Sequence, residues 1–243
     1  MPIQQFVGQY QGRSSNVGAL RYVNLFPHVT QDQRIVLFGT PGISQELYIG
    51  AQPIRGMLVM GDYLYIVSSG VLYKGSYDLS GNLVTTNVGA LSTFTGNVSM
   101  ASNGQQLMIV DGTYGYIYVP STNTFTQITA PDFPKCNTVA FLDGYFIVDA
   151  VGTNTYYFSA LYDGLSWDAL DYNAAESAPD NVVAVASTFG FLYVFGQQTT
   201  EIWYDSGDPL TVFTRADGMV SNVGLLATYS VAKVGETGNL ICW

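Results

Sequence analysis

The chain has 243 residues, of which 48% are hydrophobic, 14% aromatic and only 11% charged, and its formal net charge is −10. Its eight Lys and Arg residues are scattered and no two are adjacent. This argues against sequence-independent binding of nucleic acid and against attachment to anionic membranes, because both require clustered cations. Low charge together with 18 Tyr and 13 Phe is typical of surfaces inside an assembly, although a Tyr-rich β-sandwich has the same composition.

Targeting signals and covalent cross-links are not visible in the sequence. The start, Met1-Pro2-Ile3-Gln4-Gln5, lacks the basic and apolar regions of a signal peptide. No run of about 18 apolar residues occurs, so no membrane-spanning segment is predicted. The two cysteines, Cys136 and Cys242, match neither a disulfide framework nor a zinc motif, and we expect both to be buried thiols. We therefore expect a protein made in a cytoplasm, with no metal and no cofactor.

The first 50 residues differ from the rest of the chain. Glycines and serines break this region into turns, and short apolar pieces such as Tyr22–Phe26 and Ile35–Phe38 lie between them. This pattern predicts an extended N-terminal arm with one or two closing strands over residues 1–50. The second predicted domain covers residues 51–243.

From about residue 50 onward the sequence repeats. Each of four units contains an apolar strand, a turn with glycine, a second apolar strand and a third, more amphipathic strand. The predicted first strands are Met57–Met60, Val98–Ala101, Val139–Leu142 and Val182–Ala186. The predicted second strands are Tyr63–Val67, Gln106–Val110, Tyr145–Val148 and Phe191–Phe195. The predicted third strands are Val71–Lys74, Tyr116–Val119, Thr155–Phe158 and Glu201–Tyr204.

The spacing of these units indicates the architecture. The second strands end at Val67, Val110, Val148 and Phe195, which are 43, 38 and 47 residues apart. A repeat of about 43 residues with three or four short strands is typical of a β-propeller blade. We predict an all-β, propeller-like fold of about 4.5 blades, the last incomplete. Because exposed sheet edges are avoided, we expect the chain to be part of a longer propeller or to have its edges covered by neighbours in an assembly. A β-sandwich and a β-solenoid remain alternatives.

Residues with catalytic chemistry are few. The single histidine, His28, follows no nucleophile pattern, so a hydrolytic triad is not expected. Acidic residues cluster in the second half, and paired carboxylates are the groups that glycosidases use. The alternative, which we favour, is that these side chains accept hydrogen bonds from backbone amides in turns. The cluster comprises Asp163, Asp168, Asp171, Glu176, Asp180, Glu201, Asp205 and Asp208.

One segment resembles a known family. Ser159–Tyr172, with Trp167-Asp168-Ala169-Leu170-Asp171 as its most specific part, is similar to a segment of podovirus tail hub proteins. These proteins are also called packaged-DNA stabilisation proteins or tail accessory factors. Weaker resemblances complete the match over residues 1 to about 205: Ala175–Ser177, Pro179-Asp180, Phe195-Gly196, Thr200–Tyr204, Val23–Pro27, Gly39–Gly42 and the N-terminal Met1–Gln5.

The resemblance implies a propeller-like subunit present in six copies around the tail axis. Such hubs join the portal or its adaptor ring to the distal needle or nozzle, often present tailspikes, and close the DNA exit channel after packaging. DNA passes through the channel without specific binding. Family members are generally longer than this chain, and no catalytic residue is carried over from them.

These implications give a first hypothesis, a structural hub of the virion. The arm would reach an adjacent subunit or the adaptor ring, and acidic turns would line the channel and repel DNA. The candidate interface residues are Phe6, Tyr10, Tyr22, Phe26 and Phe38, for which packing within the same subunit is the alternative. The candidate channel-facing residues are Asp168, Asp171 and Asp180.

Two further hypotheses remain open. A sugar-binding or sugar-cleaving propeller would use the acidic cluster, with Trp167, Trp203 and tyrosines stacking on sugar rings. Asp163-Gly164-Leu165-Ser166-Trp167 is similar to the Asp-box of sialidases, but its Gly and Trp stand one position too early. A nozzle subunit of another short-tailed phage would share the fold and the virion location and differ in its partners.

Overall fold

The computed structural model describes residues 25–30, 32, 34–42, 45, 47–49, 53–234 and 240–242. The chain divides into two compact units, Met1–Glu46 and Leu47–Trp243. In the first unit, strands β1 (Leu25–Val29) and β2 (Ile35–Gly39) form an antiparallel pair. The predicted boundary between an arm over residues 1–50 and blades over 51–243 stays a prediction.

The second unit contains four antiparallel sheets of four strands, each strand pairing with the next along the chain. Blade 1 consists of β3 (Ile54–Met60), β4 (Tyr63–Ser68), β5 (Val71–Tyr77) and β6 (Leu83–Ala90). Blade 2 consists of β7 (Ser99–Ser102), β8 (Leu107–Val110), β9 (Gly115–Val119) and β10 (Thr124–Gln127). Blade 3 consists of β11 (Val139–Leu142), β12 (Tyr145–Asp149), β13 (Thr155–Phe158) and β14 (Tyr172–Ala174). Blade 4 consists of β15 (Val182–Thr188), β16 (Phe191–Gly196), β17 (Thr200–Asp208) and β18 (Thr211–Ser221).

A further pair of strands, β19 (Ala232–Val234) and β20 (Leu240–Cys242), follows blade 4. The predicted all-β, propeller-like class is confirmed, and all twelve predicted strands of the four units are present. The fourth strand of each blade was not located from the sequence. No helix among the described residues is long and apolar enough to cross a membrane.

Hydrophobic cores lie between neighbouring blades, because the inner strands bury both of their faces. In β8, Leu107 and Ile109 pack into the core between blades 1 and 2, and Met108 and Val110 pack into the core between blades 2 and 3. All four side chains are fully buried. Side chains of a strand alternate between the faces of its sheet, so a continuous apolar run is what a sheet covered on both sides requires.

The turns between first and second strands are tight. In blade 3, Asp143 and Gly144 have φ angles of 48° and 100°, and in blade 4, Phe189 and Gly190 have φ angles of 53° and 74°. Two successive residues with positive φ are the mark of a type I′ hairpin turn, whose twist matches that of the strands it joins. These turns hold the buried second strands in register with the first strands.

The first strands of neighbouring blades run in the same direction. The Val139 amide donates to Ser99 Oγ (3.1 Å), and the Val185 amide donates to Thr138 Oγ1 (2.9 Å). Further along, Ser187 Oγ donates to the carbonyl of Phe141 (2.8 Å). All blades therefore have their turns on the same two faces. We call the face with the turns from first to second and third to fourth strands the first turn face, and the opposite one the second turn face.

Candidate functional site

A groove of about 830 Å³ runs along the first strands of the four blades. Its walls combine apolar side chains such as those of Met57, Val59 and Phe141 with polar and cationic ones such as those of Arg55 and Lys233. Within the described part of the chain, the lining contains no Asp or Glu. Met57 and Val59 are exposed within it. The described lining of the groove therefore offers no pair of carboxylates for glycosidase chemistry.

A buried polar network ties blade 1 to blade 2 at the second turn face. The Arg55 guanidinium donates to the carbonyls of Gly96 (2.7 Å), Ser69 (2.8 Å) and Thr93 (2.8 Å). Thr93 Oγ1 in turn donates to Asp111 Oδ2 (2.6 Å). Burial lowers the pKa of Arg55, and the nearby Asp111 carboxylate opposes that shift. These donors are used inside the chain, so Arg55 serves to join blades.

A second buried carboxylate ties blade 3 to blade 4. Asp149 Oδ1 accepts hydrogen bonds from the Thr138 amide (2.6 Å) and from Thr138 Oγ1 (2.7 Å). The same Thr138 hydroxyl accepts the amide of Val185 in the next blade. Asp149 is completely buried, and this burial raises its pKa although the hydrogen bonds from Thr138 and Asn137 act in the opposite direction.

Asp180 supplies a carboxylate to blade 4 from the segment that precedes the blade. In blade 2, Asp111 follows the second strand directly, and its Oδ1 accepts the amides two and three residues later, those of Thr113 and Tyr114. Blade 4 has Gly196 at the corresponding position. There, Asp180 Oδ2 accepts the amides of Gln198 (2.6 Å) and Thr199 (3.1 Å).

Glu201 secures the same preceding segment to blade 4. It is 1% exposed and accepts the amide of Ser177 (2.7 Å) and the indole N–H of Trp203 (3.0 Å). Arg215 lies 3.8 Å from its carboxylate. The carboxylate is thus held by the chain itself and is not presented to a cleft.

The first turn face is acidic. None of its eight turns, all within the described residues, contains Lys or Arg. Lys74 in β5 lies nearby, with its ammonium 3.6 Å from the centroid of the Tyr63 ring. The acidic residues in or beside these turns are Asp62, Asp78, Asp143, Asp163, Asp168, Asp171 and Asp208.

Several of these aspartates organise turns that expose a leucine. The Asp168 carboxylate accepts the amide of Leu170 (2.8 Å), and the Asp208 carboxylate accepts the amide of Leu210 (2.9 Å). The Asp163 carboxylate accepts the amide of Leu165 in the same way (3.0 Å). The interpretation of these aspartates as turn acceptors is confirmed, because each bonds the amide two residues later.

In blade 1, a variant of this turn exposes Leu79. Asp78 Oδ1 accepts the amides of Ser80 (2.8 Å) and Asn82 (2.9 Å), which closes the loop around Leu79. The amide of Asn82 is the main cause of the lowered pKa of Asp78. Leu79, Leu170 and Leu210 have relative exposures of 109%, 82% and 93%.

The segment with the most specific family resemblance, residues 159–172, joins the third and fourth strands of blade 3 and packs back onto the core. Trp167 is buried, donates its indole N–H to the carbonyl of Gly164 (2.9 Å), and stacks edge-on against Phe133. The amide of Gly164 donates to Gln106 Oε1 of blade 2 (3.0 Å). A side chain at Gly164 would overlap Ile117, so glycine is needed where this segment crosses between blades.

The structure describes only part of the predicted interface set. Phe6, Tyr10 and Tyr22 lie outside the described residues, and only the backbone of Phe26 is described, in β1. Phe38 lies in β2, is 46% exposed, and its ring meets the edge of His28 at a centroid distance of 5.6 Å. Their role as an interface stays a prediction.

The three predicted channel-facing aspartates are not equivalent. Asp168 is exposed in its turn, and Asp171 is partly buried with its pKa raised by burial and then by Asp168. Asp180 is 7% exposed and bonded to Gln198 and Thr199, so it presents little charge to any surface. That Asp168 and Asp171 line a channel stays a prediction.

The predicted aromatic platform for sugars is not formed by the two tryptophans. Trp167 and Trp203 are 7% and 8% exposed, and both lie in cores between blades. Cys136 is buried as predicted, and burial raises the pKa of its thiol well above the usual value. Among the described residues, no three His, Cys, Asp or Glu side chains are grouped to hold a metal ion.

Repeated four-stranded sheets with cores between them define a β-propeller protein. A family model described as "Bacteriophage P22 Gp10, beta-propeller" matches residues 6–242. The chain belongs to this phage stabilisation family of podovirus tail proteins, and the family resemblance predicted from residues 159–172 is confirmed. Its role is therefore that of a virion-associated structural protein of a bacteriophage.

Other comparisons show only distant likeness. No curated protein matches the sequence. Hsv2 of Kluyvelomyces marxianus has 10% identity and a TM-score of 0.49, with 76% of this chain and 61% of that chain covered. PorZ, a surface component of the type-IX secretion system of Porphyromonas gingivalis, has 14% identity and a TM-score of 0.46, with coverage of 68% and 23%. The chain thus spans less than two thirds of either structure.

Proposed function

We propose that the protein is a tail hub subunit that joins the portal or its adaptor ring to the distal needle or nozzle and helps to retain packaged DNA. The family match over residues 6–242 is the observation that carries the proposal. In this role the protein acts by position, as one copy of a six-membered ring that also offers attachment to tailspikes. It is made in the host cytoplasm and carries out no catalysis.

The construction of the propeller supports a connector. Blades are joined by buried hydrogen bonds at the second turn face, such as those of Arg55 and Thr138, and by apolar cores along their length. A rigid unit with two ordered turn faces is suited to transmit a fixed geometry between a ring above and a ring below. The carboxylates of Asp149, Asp180 and Glu201 are bonded within the chain, so they support structure rather than acid–base chemistry.

The proposal is tested by adding the purified protein to portal–adaptor complexes and measuring the mass of the product. We expect six copies to bind, and we expect heads that receive the protein to hold their DNA when diluted. A complex that forms only with the distal tail proteins would instead favour a nozzle subunit. Binding to neither the portal–adaptor complexes nor the distal tail proteins would contradict the proposed role.

A further inference from the structure

Three blades display a leucine at the same place in the fold, the turn from third to fourth strand on the first turn face. These residues are Leu79 in blade 1, Leu170 in blade 3 and Leu210 in blade 4, and all three are nearly fully exposed. Blade 2 has the polar turn Pro120–Asn123 instead. A single exposed leucine needs no explanation. An exposed leucine that recurs at the equivalent turn of three blades is instead a property of the whole face.

Each of these leucines is held outward by a carboxylate in its own turn. Asp168 and Asp208 bond the amides of Leu170 and Leu210, and Asp78 bonds the amides of Ser80 and Asn82, which follow Leu79. The backbone of the turn is therefore ordered before any partner arrives. Ordering a flexible loop on binding weakens association, so a preformed turn removes part of that loss.

From these observations we propose that the first turn face docks onto another virion protein, which receives the three leucines in apolar pockets bordered by Lys and Arg. Charge complementarity selects this kind of partner. The eight turns of the face, all of them described, contain seven acidic residues in or beside them and no Lys or Arg, and the nearby Lys74 lies over the Tyr63 ring.

A second copy of the same surface does not meet this requirement. Two acidic faces repel each other at short range, and the guanidinium of Arg55 is used inside the propeller. DNA is disfavoured for the same electrostatic reason, and a wall that only repels DNA has no use for ordered leucine tips. The inference rests on the proposed function for its choice of partner, and it assigns Asp168 to a protein interface rather than to a channel wall.

The test is a binding titration with the full chain against two probes, portal–adaptor complexes and the isolated distal needle or nozzle protein. The variant carries Leu79→Ser, Leu170→Ser and Leu210→Ser. The matched control carries Val151→Ser, Val223→Ser and Leu226→Ser, three exposed apolar residues of the second turn face. We expect the leucine variant to bind one probe about 100-fold more weakly, with its unfolding midpoint unchanged and the control close to wild type on that probe.

A second variant tests the charge. Asp62→Asn and Asp143→Asn remove two exposed charges outside the leucine turns. We expect it to weaken binding by about 3-fold at low salt and to flatten the dependence of affinity on salt. We expect this weaker and less salt-dependent binding for the same probe whose binding is weakened by the leucine substitutions.

The outcomes separate the two proposals. If the wild type binds and the affinity of the leucine variant is within about 2-fold of it, the docking face is overturned and the hub function is left intact. Two further outcomes would overturn the docking face. One is self-association of the wild type that depends on the leucines and needs no partner. The other is a leucine variant that binds normally but whose heads lose DNA. Absence of wild-type binding to both probes would overturn the hub function together with this inference.

Discussion

Asp180 occupies the space into which a side chain at Gly196 would project. A Cβ built on Gly196 would overlap the Asp180 carboxylate, and the two amides that this carboxylate accepts lie two and three residues after Gly196. Asp111 makes the equivalent bonds from its own position in blade 2. The same capping group is therefore provided by two different positions of the chain.

This relationship predicts a compensating pair of substitutions. Asp180→Gly leaves the amides of Gln198 and Thr199, which are part-buried, without their acceptor and should lower the free energy of unfolding by about 1–2 kcal/mol. Gly196→Asp alone crowds a second carboxylate into the same space and should lower the free energy of unfolding by about 2 kcal/mol. The double variant should be more stable than either single one, because the carboxylate introduced at position 196 would then accept the two amides, as Asp111 does in blade 2.

Urea unfolding of the wild type, the two single variants and the double variant measures this coupling. A double variant whose loss equals the sum of the single losses would show that the two positions act independently.

Thr138 is predicted to matter through its hydroxyl. Thr138→Val keeps the shape but removes the donor to Asp149 and the acceptor of the Val185 amide. We expect a loss of about 2–3 kcal/mol in the free energy of unfolding, since a buried carboxyl group and a buried amide both lose a partner. Thr138→Ser keeps both bonds and should lose less than about 1 kcal/mol.

Hydrogen exchange provides the second measurement. The amide of Val185 should exchange faster in the valine variant and at the wild-type rate in the serine variant. Equal stabilities for the two variants would show that the hydroxyl contributes little.

Asp149 should make stability depend on pH. Burial raises its pKa above that of the unfolded chain, so the folded state favours the protonated acid. Its contribution is fully present below the unfolded value of about 3.9 and is lost as the pH rises through the raised folded value. The difference in unfolding free energy between wild type and Asp149→Asn should therefore become less favourable to wild type as the pH rises from acid to neutral.

The check is a series of urea unfolding curves for both proteins across that range. Other titrating groups are common to the two proteins and cancel in the difference. A difference that stays constant with pH would mean that the carboxyl has the same pKa in both states.

Truncation of Trp167 should lower stability strongly and truncation of Leu170 hardly at all, although the two residues lie three positions apart. Trp167→Ala opens a cavity beside Phe133 and removes the bond to the Gly164 carbonyl, and should cost about 3–5 kcal/mol of unfolding free energy. Leu170→Ala removes an exposed side chain and should change stability by less than about 0.5 kcal/mol. Thermal unfolding distinguishes them, and a comparable loss in both would place Leu170 in the core.

The sequence was most informative where burial is two-sided. Runs such as Leu107–Val110 are apolar at every position because both sheet faces are covered, and that pattern repeats at a blade-like spacing. The fourth strands were not found because they lie at the outer edge and mix polar with apolar residues, as in Thr124–Gln127 and Leu83–Ala90. Strand β18 also departs from regular pairing between Arg215 and Val220, which hides its period.

The roles of the carboxylates were predictable only where they are local. Asp163 and Asp168 bond amides two residues away, and turn chemistry predicts this. Asp180 and Glu201 bond groups 18 and 24 residues away, so their partners depend on how the segment that precedes blade 4 packs against that blade. The exposed leucines were not singled out from the sequence, because only the fold shows that they share one position in three blades.

The three main cores of the described residues each lie between two neighbouring sheets, and none of these cores is shared by all four blades. Blades 2 and 3 each contribute to two of these cores, and blade 4 contributes to one of them and to a smaller, fourth core that includes Leu225. Coupling of this kind passes from neighbour to neighbour, as in a linear array of repeats. Loss of order should therefore advance one sheet at a time, with blades 2 and 3, which each pack against two four-stranded neighbours, the last to melt.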